Sequence, residues 1–287
     1  MVHPSVESFW AYIEERWLVE ERKNGVGQLG PWTTDPFIQK YHFCCVRRKD
    51  DYGSRWYIEH VLGTSTDFAD LVYRTILYRL VNNVGWFQQV FPQGLPHYND
   101  EIPQAQLLAG PMPISAAYVT LITPGKPNRK ENLLGTLRWL KENDISTRIL
   151  QARSLKGVRT ILCTVPFVGN FLAFQMYLDL LYSDYLNFNP DEDVVMGPGA
   201  QWIIDRFVGN LGASQGGRDW WRERKRIPSQ QQNNYLRDLH RQQPTLNCGT
   251  LSIADVEANL CEYGKYVRLL EAHARRDFTS PARRPQK

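Results

Sequence analysis

The chain has too few cysteines, in the wrong places, for a metal site or a disulfide framework. Its five, Cys44, Cys45, Cys163, Cys248 and Cys261, are odd in number and form no Cys-x-x-Cys pair, and Cys163 lies in an apolar run. That pattern points to a reducing compartment. With only six scattered His, the spacing also speaks against zinc, and no metal ligands are expected. Apolar runs of about 18 residues are absent, so no membrane span is expected. The opening MVHPSVESFWAYIEER has no basic segment followed by an apolar core, so no signal peptide is expected. The expected location is the cytoplasm, a host's if the source is viral. There is no Gly-x-x-x-x-Gly-Lys-Ser/Thr loop, so the chain is not itself a P-loop kinase. Strand signals are weak and neither a repeat nor a heptad occurs, which makes the expected fold class all-α.

What is present is an ordinary globular balance, 43% hydrophobic and 22% charged, in a chain long enough to bury a substantial core. Net charge is only +4 but is unevenly spread: seven Arg/Lys stand against three acids from Arg218 to Arg241, and six against two from Arg268 to Lys287. Such stretches suit either a phosphate backbone or a solvated face. Nine Trp, fourteen Tyr and twelve Phe supply a core and also suit stacking on bases. Apolar spacing predicts helices from a cap near Ser5 to about Lys23, and over Thr66–Asn82, Ala116–Thr123, Asn132–Asn143, Val165–Tyr182, Ala200–Val208, Gln230–Gln242 and Ser252–Glu271. Pro- and Gly-rich loops are expected at 25–36 and 91–114. Residues 1–276 read as one helical domain, undivided or as two intimate lobes at about 1–125 and 126–276. Residues 277–287 read as a disordered basic tail.

The most informative local pattern is Leu162-Cys163-Thr164-Val165-Pro166-Phe167-Val168-Gly169-Asn170-Phe171-Leu172-Ala173. A helix ends, an apolar turn carries Pro and Gly, and a new helix begins at once. This resembles the helix-hairpin-helix turn, usually Leu-Pro-Gly-Val-Gly, with Phe167 standing where the first Gly usually sits. Glycine permits close approach and positive φ, and the new helix offers unpaired N–H groups to a DNA phosphate. Val168, Gly169 and Asn170 are therefore candidate DNA contacts, with Gly197 and Gly199 of the later Gly-Pro-Gly turn. The resemblance extends to DNA glycosylases of the same hairpin class, whose catalytic Asp follows at about this separation, making Asp191 and Asp193 candidate catalytic carboxylates. It implies a glycosylase-like helical fold. The Lys that bifunctional glycosylases place just after the hairpin is missing.

Further segments sharpen the reading: Phe9–Arg16 with Pro31–Pro36, Lys40–Trp56, and Asp255–Tyr266. With Pro166–Gly169, Gln175, Asp179 and Gly197–Ala200, they resemble the α-glutamyl/putrescinyl thymine pyrophosphorylase family and the related helical domain of 5-hydroxymethyluracil DNA kinases. The resemblance runs from about Phe9 to Arg268. It implies a role in phage thymine hypermodification, in which a kinase pyrophosphorylates the base's hydroxymethyl group and a second enzyme displaces pyrophosphate with an amine. The family often has Asn at the position of Cys45.

Arg47, Arg48, Arg55 and Lys265 are candidate pyrophosphate ligands, since guanidinium gives bidentate contact to such a polyanion. Arg48 and Arg55 match the family motif. Asp51 and Glu262 join Asp191 and Asp193 as candidate acid–base groups, and Trp56 and Tyr263 are candidate platforms for a flipped base. No cofactor is required, though Mg²⁺ could accompany the pyrophosphate. The expected partners are DNA carrying modified uracil or thymine, a small amine or amino-acid donor, and a 5-hydroxymethyluracil DNA kinase. A glycosylase and a non-catalytic DNA-binding partner of that kinase stand as alternatives.

Overall fold

The structure is a computed structural model and describes residues 4–25, 29–113, 120–122, 128–208 and 229–274. Among the described residues there are α-helices and two short 3-10 turns but no β-strand, as the sequence predicts. The chain divides into two compact units: residues 1–51 with 196–287, and residues 52–195. The first unit is thus built from both ends of the chain. The division does not fall near residue 125, because the pairings that close the first unit join residues 200 or more apart, such as Arg47 with Cys248 and Arg16 with Asn259.

In the first unit, α1 (Val6–Asn24) and α2 (Pro36–Lys40) precede the break at residue 51. Ser5 caps α1 by accepting from Ser8 N–H at 3.1 Å while its own N–H donates to Ser8 Oγ at 3.0 Å, the reciprocal box that satisfies two orphan donors.

The second unit contains α3 (Tyr52–His60), α4 (Phe68–Val81), α5 (Val84–Val90), α6 (Gln104–Leu108), α7 (Arg129–Glu142), α8 (Ile145–Leu150), α9 (Leu155–Leu162) and α10 (Asn170–Leu180). Its centre is α4, buried at every position but Ala69. An all-round buried helix must neutralise its polar side chains. Arg79 does so by gripping both oxygens of Asp179 on α10, with Nη2 to Oδ1 at 2.6 Å, and Asp179 is fully buried.

The first unit resumes with α11 (Pro198–Phe207), α12 (Ser229–Arg241) and α13 (Ile253–Ala274). The Phe9, Trp10, Tyr12, Ile13 and Val19 side chains of α1 are buried in this unit's core. The α11–α13 crossing is close enough to require glycine: a Cβ at Gly199 would lie 2.5 Å from Cys261 Sγ, and one at Gly264 would lie 3.1 Å from the Gly199 carbonyl oxygen.

The long predicted helices are all present, but the one expected over Val165–Tyr182 starts only at Asn170, because residues 163–169 form a turn. Short helices α2, α3, α5, α6 and α8 were not predicted, and α6 lies within the expected 91–114 loop. The expected helix at Ala116–Thr123 falls largely outside the described residues, as do 218–228 of the first basic stretch and the whole 277–287 tail.

Replacing Asp179 with Ala strands a buried guanidinium and is expected to destabilise the protein by about 3–5 kcal/mol. The pair Arg79→Met with Asp179→Leu removes both charges and is expected to recover most of that stability, measured by urea unfolding.

Candidate functional site

In the second unit, α9 begins at an N-cap Ser154 whose side chain accepts from Gly157 N–H at 3.1 Å. It ends at Leu162, and the chain turns through Cys163–Gly169 into α10. The turn closes on itself through Val165 N–H to the Leu162 carbonyl and Val168 N–H to the Val165 carbonyl, both at 3.1 Å. Val165 and Val168 are buried and pin it to the core. The left-handed residue is Phe167, φ 66°, at the position of the motif's first glycine. Gly169, expected to use positive φ, has φ −92° and serves as the N-cap of α10 with no side-chain cap. It faces open space, so the first N–H groups of α10 can be approached closely. Of the three residues expected to touch DNA here, Gly169 and Asn170 are exposed and Val168 acts as the anchor beneath them.

Asp193 does come to this hairpin, through an arginine that sequence reasoning missed. Arg159 on α9 donates from Nε and Nη2 to the two Asp193 oxygens at 2.6 and 3.0 Å, and from Nη1 to Asn170 Oδ1 at 2.5 Å. The bonded carboxylate raises the guanidinium's pKa above its ordinary value. Buried Tyr177 donates to the Asp193 carbonyl oxygen. Arg159 therefore fastens the first residue of α10 to the loop that follows that helix. In that loop Asp191 takes part in an Asx turn, its N–H donating to Asn189 Oδ1 at 3.0 Å.

Charge density gave a signal that the sequence reading did not use. From Ile145 to Leu178 the chain carries Arg148, Arg153, Lys156 and Arg159 and no acid. Arg148, Arg153 and Lys156 are exposed, on or beside α8 and α9. Arg55 is also exposed, on α3, whereas Trp56 is core, stacked 5.6 Å from Tyr78 and 5.8 Å from Phe87.

The first unit holds the other predicted residues, around a backbone strap at 41–51. Lys265 donates to the His42 carbonyl and, at 3.2 Å, to Glu262, which also accepts from Cys44 N–H at 3.2 Å. Asn259 Nδ2 reaches the Val46 carbonyl at 2.8 Å and its Oδ1 accepts from buried Arg16 at 2.7 Å. Asp51 accepts from Cys45 N–H at 3.3 Å, Asp255 accepts from Arg48 N–H at 2.8 Å, and Arg47 donates to the Cys248 carbonyl. Asp51, Glu262 and Lys265 thus fasten the strap. Tyr263 is core, its hydroxyl 2.6 Å from Ser8 Oγ. Gly197 donates its N–H to buried Glu257 at 2.7 Å, and Gly199 serves the α11–α13 crossing, so both turn glycines are engaged inside the unit. Burial raises the Glu257 carboxyl to about 7, against the opposing pull of the Gly197 N–H and of Arg48.

Among the described residues no group of three His, Cys, Asp or Glu is placed to hold a metal ion, and no helix is long and apolar enough to cross a membrane.

The family model described as "5-hmdU DNA kinase, helical domain" matches residues 3–276. A 5-hmdU DNA kinase of Bacillus phage SP10 is 24% identical over 232 residues, covering 72% of this chain and 36% of that kinase. The chain therefore spans little more than a third of the length of that curated relative. No solved structure matches it.

The folded protein holds the Glu257 proton more tightly than the unfolded chain does. The stability this contributes is complete below the unfolded value of 4.5 and is lost as pH rises through about 7. The loss is on the order of 3 kcal/mol. Glu257→Gln is expected to flatten the pH dependence of unfolding between these limits, read from urea denaturation at a series of pH values.

Proposed function

The chain belongs to the family of 5-hmdU DNA kinase helical domains, and from that premise we propose that it modifies 5-hydroxymethyluracil-derived bases in DNA by displacing pyrophosphate with an amine. The observation that carries this is the hairpin: an uncapped helix start in open space, beside an acid-free run of exposed cations. Such a hairpin grips phosphate and is blind to sequence. The substrate base must leave the stack to be reached.

In this reading the donor's nitrogen attacks the exocyclic methylene of 5-pyrophosphomethyluracil. The C–O bond breaks, pyrophosphate departs with the bonding electrons, and the amine yields its proton to a carboxylate of the 191–193 loop. Asp193 has both oxygens engaged by Arg159 and fixes the loop, so in this reading Asp191 takes the proton. Exposed Arg55, in the same unit, is the counter-charge for the leaving group. Arg47 and Lys265 are structural in this reading, since the side chain of each is tied within the first unit, and Arg48 lies in that unit too, fastened through its backbone N–H.

A second reading has a specific observation behind it. The matched region corresponds to a helical domain of kinases, and the relative is a 5-hmdU DNA kinase nearly three times as long as the matched stretch. On that reading the chain holds DNA for a separate kinase and performs no chemistry.

Mass spectrometry of nucleosides separates the two. DNA carrying 5-pyrophosphomethyluracil is incubated with the protein and a panel of amino acids and polyamines. An amine-adduct nucleoside is expected, reduced at least tenfold by Arg55→Ala. Unchanged base with intact DNA binding would establish the holding role instead, and an abasic site would mark a glycosylase.

Binding itself has a salt signature. Changing Arg148, Arg153 and Lys156 together to Gln is expected to lower the slope of log affinity against log salt by about 0.9 for each phosphate no longer neutralised, measured by fluorescence anisotropy.

A further inference from the structure

Phe167 is the left-handed residue of the hairpin, φ 66°. Glycine takes that conformation without strain, whereas a bulky L side chain is driven toward its own backbone. The ring is only partly withdrawn from water, Phe167 being 37% exposed, while Val165 and Val168 on either side are buried and anchor the turn. Glycine would relieve that strain without supplying a ring. An outlier of this kind, at the tip of a turn flanked by exposed Gly169 and Asn170, and in the same unit as the exposed cations Arg148, Arg153 and Lys156, points to a contact surface. What the turn presents is a partly exposed apolar ring next to the uncapped start of α10, whose N–H groups attract phosphate. The ligand that offers a polyanionic backbone and an apolar flat face together is nucleic acid.

We propose that Phe167 is a stacking wedge: while the hairpin holds the DNA backbone, its ring fills the gap left by an unstacked base. The inference rests on the DNA-binding reading above and adds a substrate preference to it. Driving a ring into an intact stack costs the energy of unstacking, and that cost is lowest where the stack is already open. The protein should therefore prefer DNA with a local opening over fully paired DNA, and Phe167 should be the source of that preference.

The test compares two labelled duplexes of equal length, one fully paired and one with a single abasic site. The wild-type protein is expected to bind the abasic duplex at least about fivefold tighter, the lower end of what one base–aromatic stack supplies. Phe167→Asn, which tolerates the left-handed backbone but lacks the ring, is expected to bind both duplexes alike. Phe167→Trp is expected to restore the difference. Phe167→Gly is expected to lose the preference as well, and thermal melting of each variant, with its fold intact at the assay temperature, separates the wedge from a role in folding. An Asn variant that keeps the preference overturns the wedge. A wild-type protein that binds both duplexes equally also overturns it, leaving the backbone grip intact. Wild-type protein that binds neither duplex removes the DNA-binding reading and the wedge with it.

Discussion

Backbone that runs as neither helix nor sheet must still find a partner for each buried N–H and C=O, and both units of this protein are arranged around that constraint. In the first, the 41–51 strap has no regular neighbour to pair with. Its groups are taken instead by side chains: Glu20 accepts from Val46 N–H at 2.8 Å, Asn259 donates to the Val46 carbonyl, and Asp255 accepts from Arg48 N–H. These residues lie on α1 and α13, so the strap and the helix pair hold one another in place. The motif-like run from Asp255 to Tyr266 is therefore accounted for mainly by architecture: Asp255, Asn259, Glu262 and Lys265 bind the strap, and Gly264 lets α11 approach.

The second unit meets the same constraint at the hairpin, and there the solution leaves something exposed. Arg159 has a planar fork that bonds Asp193 bidentately and still reaches Asn170 with its remaining nitrogen. A lysine offers one point charge and no such fork. With Val165 and Val168 buried beneath the turn, the start of α10 is rigid without any side chain covering its N–H groups. A site pre-organised in this way needs little ordering when an anion arrives. The arrangement that stabilises the turn is thus also the one that leaves the N–H groups at the start of α10 without a side-chain cap.

How much of this is legible in the sequence depends on whether the cause is local. Helix α4 can be read to within two residues at each end because its period and its Asp67 cap are written in the chain. The turn between α9 and α10 is legible from Pro166 and Gly169, whereas spacing singles out Asp191 and Asp193 alike, and only the structure shows that Asp193 is the one bonded to Arg159. Helices of five to nine residues, such as α2, α3 and α6, are shorter than the window that periodicity needs. The split into two units is invisible because it depends on pairings between the chain's ends. Trp56 and Tyr263 show a different limit. A buried aromatic and a stacking platform have the same side chain, and only the neighbours, Tyr78 and Phe87 for one and Ser8 for the other, place these two in the core. Gly197 and Gly199 follow the same pattern: the residue type suggests a phosphate turn, but a buried carboxylate and a helix crossing claim them.

Charge shows why local reading matters for a protein of this composition. A net +4 over 287 residues is a weak field for a polyanion, and the eye goes to the densest basic stretches. Attraction at a surface is set within about a Debye length, roughly 8–10 Å at ordinary salt, so a sparse set of cations with no acid among them can outweigh a dense set interleaved with carboxylates. The run from Ile145 to Leu178 holds no acid in sequence; in space Asp193 offsets its Arg159 and Asp144 caps α8, which leaves exposed Arg148, Arg153 and Lys156 as the cations that act outward. A grip of that type fixes the protein on DNA but carries no sequence information. Any selectivity for a modified thymine must then come from what happens after the backbone is held: which base leaves the stack most readily, and which substituent on it the protein can use. On this account the hairpin supplies residence on DNA, and discrimination belongs to the groups that meet the base once it is out.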